Sequence, residues 1–237
     1  MTSKSESENT MGTVGNRTRV NTTISAKEET VQRLAKAPVA NIGDVMQRLY
    51  SFDAGLVPLN SHRLCGPAFT IRVPTGDNLY LHHAMDMLST GEVLVVAAEG
   101  SSRRAITGEL MLQYMATKNI GGVVVDGYVR DLDYIKTTCP YPVYARGTNP
   151  NGPYKNGPGE INYPVAIGGV VVNPGDIIVG DVDGLAVVPV AEAEAVANEV
   201  EAVMAKEASI IENITTKSEF NRPWVAEQMS RIGAVHI

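Results

Sequence analysis

Cysteine, tryptophan, phenylalanine and histidine are scarce in this sequence: two, one, three and four residues respectively in 237. Cys65 and Cys139 stand far apart with neither metal nor redox spacing. That excludes a disulfide scaffold and points to a reducing, cytoplasmic setting. His62, His82, His83 and His236 are scattered and form no HExxH motif, and His82-His83 reads as a surface pair on a helix. No apolar run approaches the roughly 20 residues of a membrane helix, and the polar N-terminus lacks the apolar core of a signal peptide. The net charge is -6, and no dense Lys/Arg cluster offers a nucleic-acid footprint. GxSxG, Walker A and a complete dinucleotide fingerprint are all missing. The glycine-rich stretch 147–159 does not lie between a strand and a helix, which excludes a phosphate loop.

What is present is an ordinary soluble composition, 44% hydrophobic and 19% charged, long enough for one well-packed domain. Residues 1–24 are rich in Ser, Thr, Asn and Gly and are expected to be disordered. Ser25 with Glu28 reads as a capping box opening a helix that stops near Pro38, and a second helix is expected from about Asn41. Strands are expected over Gly66–Val73 and Glu92–Ala98, with a helix Asn78–Leu88 capped by Asp77 between them, then a helix Ile106–Lys118.

The next stretch organises the chain. Gly121-Gly122-Val123-Val124-Val125 reads as a strand buried on both faces, ending at the turn pair Asp126-Gly127. Arg130-Asp131 follows, where ligands bind beyond the strand ends of α/β proteins. The alternation of helix and strand over 41–131 predicts an α/β fold with parallel pairing. Tyr141–Gly147 is a short strand, 147–160 a long loop, and 165–189 a set of short strands joined by turns. A long amphipathic helix follows over Ala191–Ile211, then a tail from Thr216 containing Trp224 and a last helical stretch. No internal boundary divides 25–215, which reads as a single domain.

The residues themselves suggest two pieces of chemistry. Gly108-Glu109-Leu110-Met111 opens a helix, whose first-turn N–H groups attract an anion; Glu109 is a candidate base or second metal ligand. Arg130 offers a planar fork to a carboxylate or enolate oxygen, and Asp131 a hard oxygen to Mg²⁺ or Mn²⁺. Each also has a plain alternative: a solvated glutamate for Glu109 and a surface salt bridge for Arg130-Asp131. Asp176, Asp181 and Asp183 surround glycines and are read as turn residues.

Taken in order, Gly76-Asp77-Asn78, Gly108-Glu109-Leu110-Met111, Val125–Asp131, Ala145-Arg146-Gly147, Asn162–Val165 and Pro174-Gly175-Asp176 with Asp183-Gly184 carry a resemblance. The chain resembles the family of class II 4-hydroxy-4-methyl-2-oxoglutarate / 4-carboxy-4-hydroxy-2-oxoadipate aldolases and the regulator of ribonuclease activity A, over about residues 40–190. The resemblance implies a single-domain α/β fold of the swivelling β/β/α type, an α-β-β-α sandwich with a mixed sheet and a barrel-like core. It implies a homotrimer or homohexamer with sites at subunit boundaries. The tail 216–237 is expected at a subunit interface, and the charge and hydropathy of the sequence point to neither nucleic acid nor membrane as partner. It implies Mg²⁺ or Mn²⁺, and cleavage of 4-hydroxy-2-oxo dicarboxylic acids to pyruvate with oxaloacetate decarboxylation. Both reactions pass through a pyruvate enolate.

Residue by residue, the resemblance puts the metal on Asp131 and the pyruvate oxygens on Arg130. A metal-bound water falls on Glu109, and the substrate carboxylate on the segment Gly108, Leu110 and Met111, the backbone N–H groups of the last two donating. Lys155 matches a substrate-binding lysine, and Glu207 an acidic residue reaching a neighbouring subunit's metal. Gly100–Ala105 resembles the ribonuclease-regulating branch instead, so a non-catalytic protein that binds a ribonuclease is the competing expectation. The presence of Asp131 and Glu109 favours the aldolase. The polar N-terminus and the tail with Trp224 depart from the family pattern.

Overall fold

The computed structural model describes residues 14–20, 26–100 and 103–234. Among them the chain runs β1 Asn16–Thr18, α1 Glu28–Lys36, α2 Val39–Val45, β2 Val57–Pro58, β3 Leu64–Arg72, α3 Leu79–Met87, β4 Val93–Ala97 and β5 Ala105–Thr107. It continues with α4 Glu109–Ala116, β6 Gly122–Val129, α5 Leu132–Thr137, β7 Val143–Thr148, β8 Gly159–Ile161, β9 Val165–Ile167 and β10 Val170–Val172. The hairpin β11 Ile177–Asp181 and β12 Gly184–Val188 then leads to the long α6 Ala193–Lys217 and to α7 Pro223–Arg231.

The centre of the sheet is parallel. Strands β3, β4, β6 and β7 lie side by side in sequence order, so α3, α4 and α5 are crossovers that return to one face. Their apolar residues Leu81, Met85, Leu112, Met115 and Ile135 close over Val123 and Val125. Val124 points to the opposite layer, packing with Leu64, Tyr144 and Leu185. Burial on both faces is why the sequence reads as continuous Val rather than alternation. A third layer packs α1, α2 and the first turns of α6 on Ile177, Val179, Ala186 and Val188. The result is a ten-stranded mixed sheet with helices, as the α/β reading requires.

Several boundaries differ from expectation, each for a physical reason. Within the stretch expected to be disordered, β1 pairs in parallel with β8, so residues 16–18 form an edge strand. Arg17 bonds Glu160 at 2.6 Å, and the guanidinium groups of Arg17 and Arg19 lie over the Tyr163 ring. These contacts hold a polar segment that has no apolar face. Ser25 lies outside the described residues, and α1 starts after Lys27 instead. Helix α2 begins earlier than expected, directly after Pro38, a residue that suits a helix start. Ala105–Thr107 is a strand on β6 and not the first turn of a helix; its β-branched Ile106 and Thr107 are buried, and the helix starts only after Gly108. Asp126-Gly127 does not end β6; the strand runs on to Val129, and its register with β7 shifts between Val125 and Tyr128, where the turn-prone pair sits.

Asp126 is buried and accepts a hydrogen bond from Arg146 Nε at 2.5 Å, while the other end of Arg146 holds Asp53 bidentately at 2.7 and 2.8 Å. The guanidinium keeps the Asp53 carboxyl below the usual range. Asp176 and Asp181 are structural turn residues, as expected, and Asp181 in addition caps α2. Asp176 accepts from the backbone of Asn173 and Val190, and Asp181 from Val39 at the start of α2.

Helix α6 buries side chains only as far as Val200. Beyond it Ile211 and Ile214 on α6, Phe220 between the helices, and Trp224 and Met229 on α7 are exposed.

Candidate active site

The carboxyl ends of β5 and β6 and the start of α4 meet at one place. Asp131, directly after Arg130, adopts the left-handed conformation at φ 63°, one of seven such non-glycine residues among those described. Aspartate tolerates this region better than most residues. The turn aims the Asp131 carboxylate back at α4, where Oδ2 accepts the Glu109 N–H at 2.8 Å. A carboxylate at a helix N-terminus is stabilised by the unpaired N–H groups there.

Arg130 is anchored by its own N–H on Thr107 O at 3.1 Å. Its Nε lies 3.7 Å from Asp131 Oδ2, too long for a hydrogen bond, and both side chains are close to half exposed. The two groups are neighbours without being mainly each other's partner. The Arg130 guanidinium donates no hydrogen bond among the described residues, and Asp131 Oδ1 has no partner there either.

Gly108 sits beneath the pair. Its backbone is extended, so other residues could adopt it, but a Cβ would collide with Asp131 Oδ2 and lie 2.8 Å from Arg130 Cγ. Gly108→Ala is therefore expected to leave the thermal midpoint within a few degrees while displacing both side chains. Steady-state kinetics should show kcat/KM lowered by roughly 10–100-fold, the cost of misplacing a reacting group by about 1 Å.

A cleft of about 240 Å³ opens over this pair, lined by Asn78, His82, Ile106, Thr107, Gly108, Leu110, Met111, Arg130, Asp131, Pro153 and Lys155 among others. Gly108, Leu110, Met111, Arg130, Asp131 and Lys155 were all picked out from the sequence, and the fold brings them to one cleft. A larger cleft of about 370 Å³ lies between α2 and the β11–β12 turn, and none of the expected site residues lines it.

The roles expected along α4 divide. The Leu110 N–H has no partner among the described residues and stands open, whereas the Met111 N–H already donates to Gly108 O at 3.1 Å. The tight first turn of the helix thus leaves one of the two expected backbone donors available, with Met111 contributing its side chain. Glu109 meets Asp131 through its N–H; its carboxylate turns along the helix, accepts from Gln113 Nε2 at 2.8 Å, and does not line the cleft. Glu207 accepts from Asn41 Nδ2 at 2.6 Å, against α2, and does not line the cleft of its own chain.

His82 and Asn78 were missed as a pair. His82 is half-buried and lines the cleft instead of forming a surface pair with His83. Burial, with the Lys155 charge beside it, pushes its pKa below the ordinary value, so it is neutral at pH 7. The signal was available: Asn78 and His82 are four residues apart, hence on one helical face. Asn78 Nδ2 donates to Ile106 O at 2.9 Å, while Asn78 Oδ1 and Thr107 Oγ1 are buried without partners among the described residues. The segment Gly100–Ala105 is described only in part; Arg104 donates to Gly152 O and Tyr154 Oη, clasping the loop that carries Lys155.

The donor set suits a hard cation held by few protein ligands. Among the described residues no three His, Cys, Asp or Glu side chains cluster. One half-exposed carboxylate with a free Oδ1 is the kind of ligand Mg²⁺ accepts while keeping several waters.

This cleft lies inside the part of the chain, residues 39–187, that matches the RraA-like (Aldolase/RraA) family model, and the chain belongs to that family. A protein of Halalkalibacterium halodurans named "Putative 4-hydroxy-4-methyl-2-oxoglutarate aldolase" is 38% identical over 170 residues, covering 71% of this chain and 80% of its own. The solved structure of RraAS2 from Streptomyces coelicolor, described as an unusual member of the RNase ES inhibitor RraA protein family, matches with a TM-score of 0.71 at 29% identity. It covers 78% of this chain and 96% of its own. An uncharacterized protein from Pseudomonas syringae matches with a TM-score of 0.72 at 26% identity, over 83% and 96% of the two chains. No helix among the described residues is long and apolar enough to cross a membrane.

Proposed function

We propose that the chain is a divalent-metal-dependent lyase that releases pyruvate from 2-oxo dicarboxylic acids, by aldol cleavage of 4-hydroxy-4-methyl-2-oxoglutarate-type substrates and by decarboxylation of oxaloacetate. The observation that carries this reading is the geometry of Arg130 and Asp131. A guanidinium that donates to no described residue lies beside a carboxylate with a free oxygen, at a helix start with one open N–H. Names of relatives such as the H. halodurans protein support the aldolase chemistry.

In this reading Asp131 would hold Mg²⁺ or Mn²⁺, which supplies Lewis-acid polarisation of the keto group. The rest is done by the chain. The open Leu110 N–H receives the carboxylate next to the keto carbon, helped by the dipole of α4. Arg130 faces the keto oxygen and stabilises the charge that gathers there as the pyruvate enolate leaves. Lys155, across the cleft, takes the distal carboxylate. Glu109 does not line the cleft; a turn of its side chain away from Gln113 would bring the carboxylate to the water that removes the C4 hydroxyl proton in the aldol reaction, and decarboxylation needs no such step. Glu207 enters only from a second copy of the chain. A homo-oligomer, trimeric or hexameric, is supported by the exposed apolar residues of α6 and α7, since a nine-residue helix alone is marginal in water.

The test is a lactate-dehydrogenase-coupled pyruvate assay on oxaloacetate and 4-hydroxy-4-methyl-2-oxoglutarate. Pyruvate release is expected with Mg²⁺ or Mn²⁺, lost with EDTA and restored by adding back the metal. No release with either metal overturns the proposal. The second reading, a non-catalytic regulator of a ribonuclease, is supported by the likeness to RraAS2. Stoichiometric binding of ribonuclease E without pyruvate release would favour it.

A further inference from the structure

Asp77 is 4% exposed, yet no arginine or lysine pairs with it among the described residues. A buried carboxylate needs compensation, and here it comes from three backbone N–H groups. Oδ1 accepts from Leu79 at 2.9 Å and from Gly157 at 3.1 Å; Oδ2 accepts from Asn156 at 2.6 Å. Leu79 opens α3, which carries His82 and follows Asn78. Asn156 and Gly157 belong to the loop that carries Lys155. Two backbone bonds run alongside, Tyr154 N to Gly76 O at 2.8 Å and Asn78 N to Tyr154 O at 3.0 Å. Lys155 is thus flanked by two residues tied to the Gly76–Asn78 turn, Tyr154 through its backbone and Asn156 through Asp77.

The two walls of the cleft, α3 and the loop 149–158, share no continuous ladder beyond an isolated bridge between Asp77 and Tyr154. The Asp77 carboxylate, on one side of Lys155, and the two Tyr154 backbone bonds, on the other, together fix the Lys155 backbone relative to Asn78 and His82. Asp77 itself does not line the cleft. We infer that Asp77 is a positioning residue: it sets where Lys155 stands across from Arg130, and so how well the cleft captures the distal carboxylate of a dicarboxylic acid. The inference rests on the proposed lyase reading for its kinetic consequence, but not for its structural one.

Asp77→Ser separates the two duties. A serine hydroxyl can keep the short bond to Leu79 that starts α3, as an ST-turn, but it lacks the second oxygen, Oδ2, which accepts the Asn156 N–H next to Lys155. Hydrogen exchange on the full chain is expected to show faster exchange of the Asn156 amide, with α3 and the thermal midpoint little changed. KM for oxaloacetate should rise roughly tenfold, the size of one charge-assisted hydrogen bond, with kcat altered less than about twofold.

The Lys155→Ala background decides whether the effect runs through Lys155. Asp77→Ser added to Lys155→Ala should raise KM no further, the non-additivity of residues acting in one chain of contacts. Additive effects, a fall in kcat with KM constant, or unchanged exchange at Asn156 each overturn the inference. If the wild type releases no pyruvate, the lyase reading fails while the exchange measurement still tests the tie. Should Asp77→Ser fail to fold, Asp77→Asn, which keeps one acceptor oxygen, replaces it with the same expected outcomes.

Discussion

Asp131→Asn is expected to lower pyruvate release by at least roughly 10³-fold while leaving the fold intact, the loss typical of removing a group that organises developing charge. The choice of asparagine matters. Position 131 needs a residue that tolerates φ 63°, and asparagine shares that tolerance with aspartate. Its amide oxygen can still accept the Glu109 N–H that Asp131 Oδ2 accepts now. What it lacks is the second anionic oxygen that a hard cation requires. The coupled assay with saturating Mg²⁺, together with circular dichroism for the fold, checks this outcome. Activity within tenfold of wild type would remove Asp131 from the metal-binding role. Asp131→Ala is a poorer test, because it adds backbone strain and leaves the Glu109 N–H without its acceptor.

Arg130→Lys is expected to cost roughly 10²–10³-fold in kcat, with KM changed much less. Lysine keeps the charge but not the planar fork, and a point charge cannot present two parallel N–H groups to a carboxylate or enolate edge. The loss should fall on kcat because the charge on the keto oxygen is largest at the transition state. Lysine also keeps the backbone N–H that bonds Thr107 O, so the β5–β6 contact survives. Steady-state kinetics on oxaloacetate and the aldol substrate should show the same proportional loss, since both routes share the enolate. Loss on one substrate alone would mean that Arg130 recognises a group peculiar to that substrate.

Much of this site could be read along the chain because its parts are local. Arg130 and Asp131 are adjacent, and Gly108 to Met111 is one helical turn, so a motif carries them. The central strands were legible because burial on both faces leaves a run of β-branched residues. Relations set by tertiary contacts were hidden. Nothing in Glu109 itself says that its N–H would serve Asp131 while its carboxylate turned to Gln113. The strand at Ala105–Thr107 was masked because three residues are too few for a period, and only pairing with β6 defines it. Strand β1 is polar and would not fold alone; Glu160 and Tyr163, more than a hundred residues later, supply its partners.

Strand β3 belongs to more than one neighbourhood. Its first half, from Leu64 to Pro67, pairs with the β11–β12 hairpin, and its second half pairs with β4 and β8. Along those nine residues it places Phe69 and Ile71 in the layer beneath α3–α5, Leu64 and Ala68 in the opposite layer, and Cys65 against the layer of α1, α2 and α6. A seam of this kind leaves no layer with a complete set of backbone partners once another has opened. The three layers should therefore melt together as one cooperative unit, with the cleft at Arg130 and Asp131 lost in the same transition as the helices at the far side of the sheet.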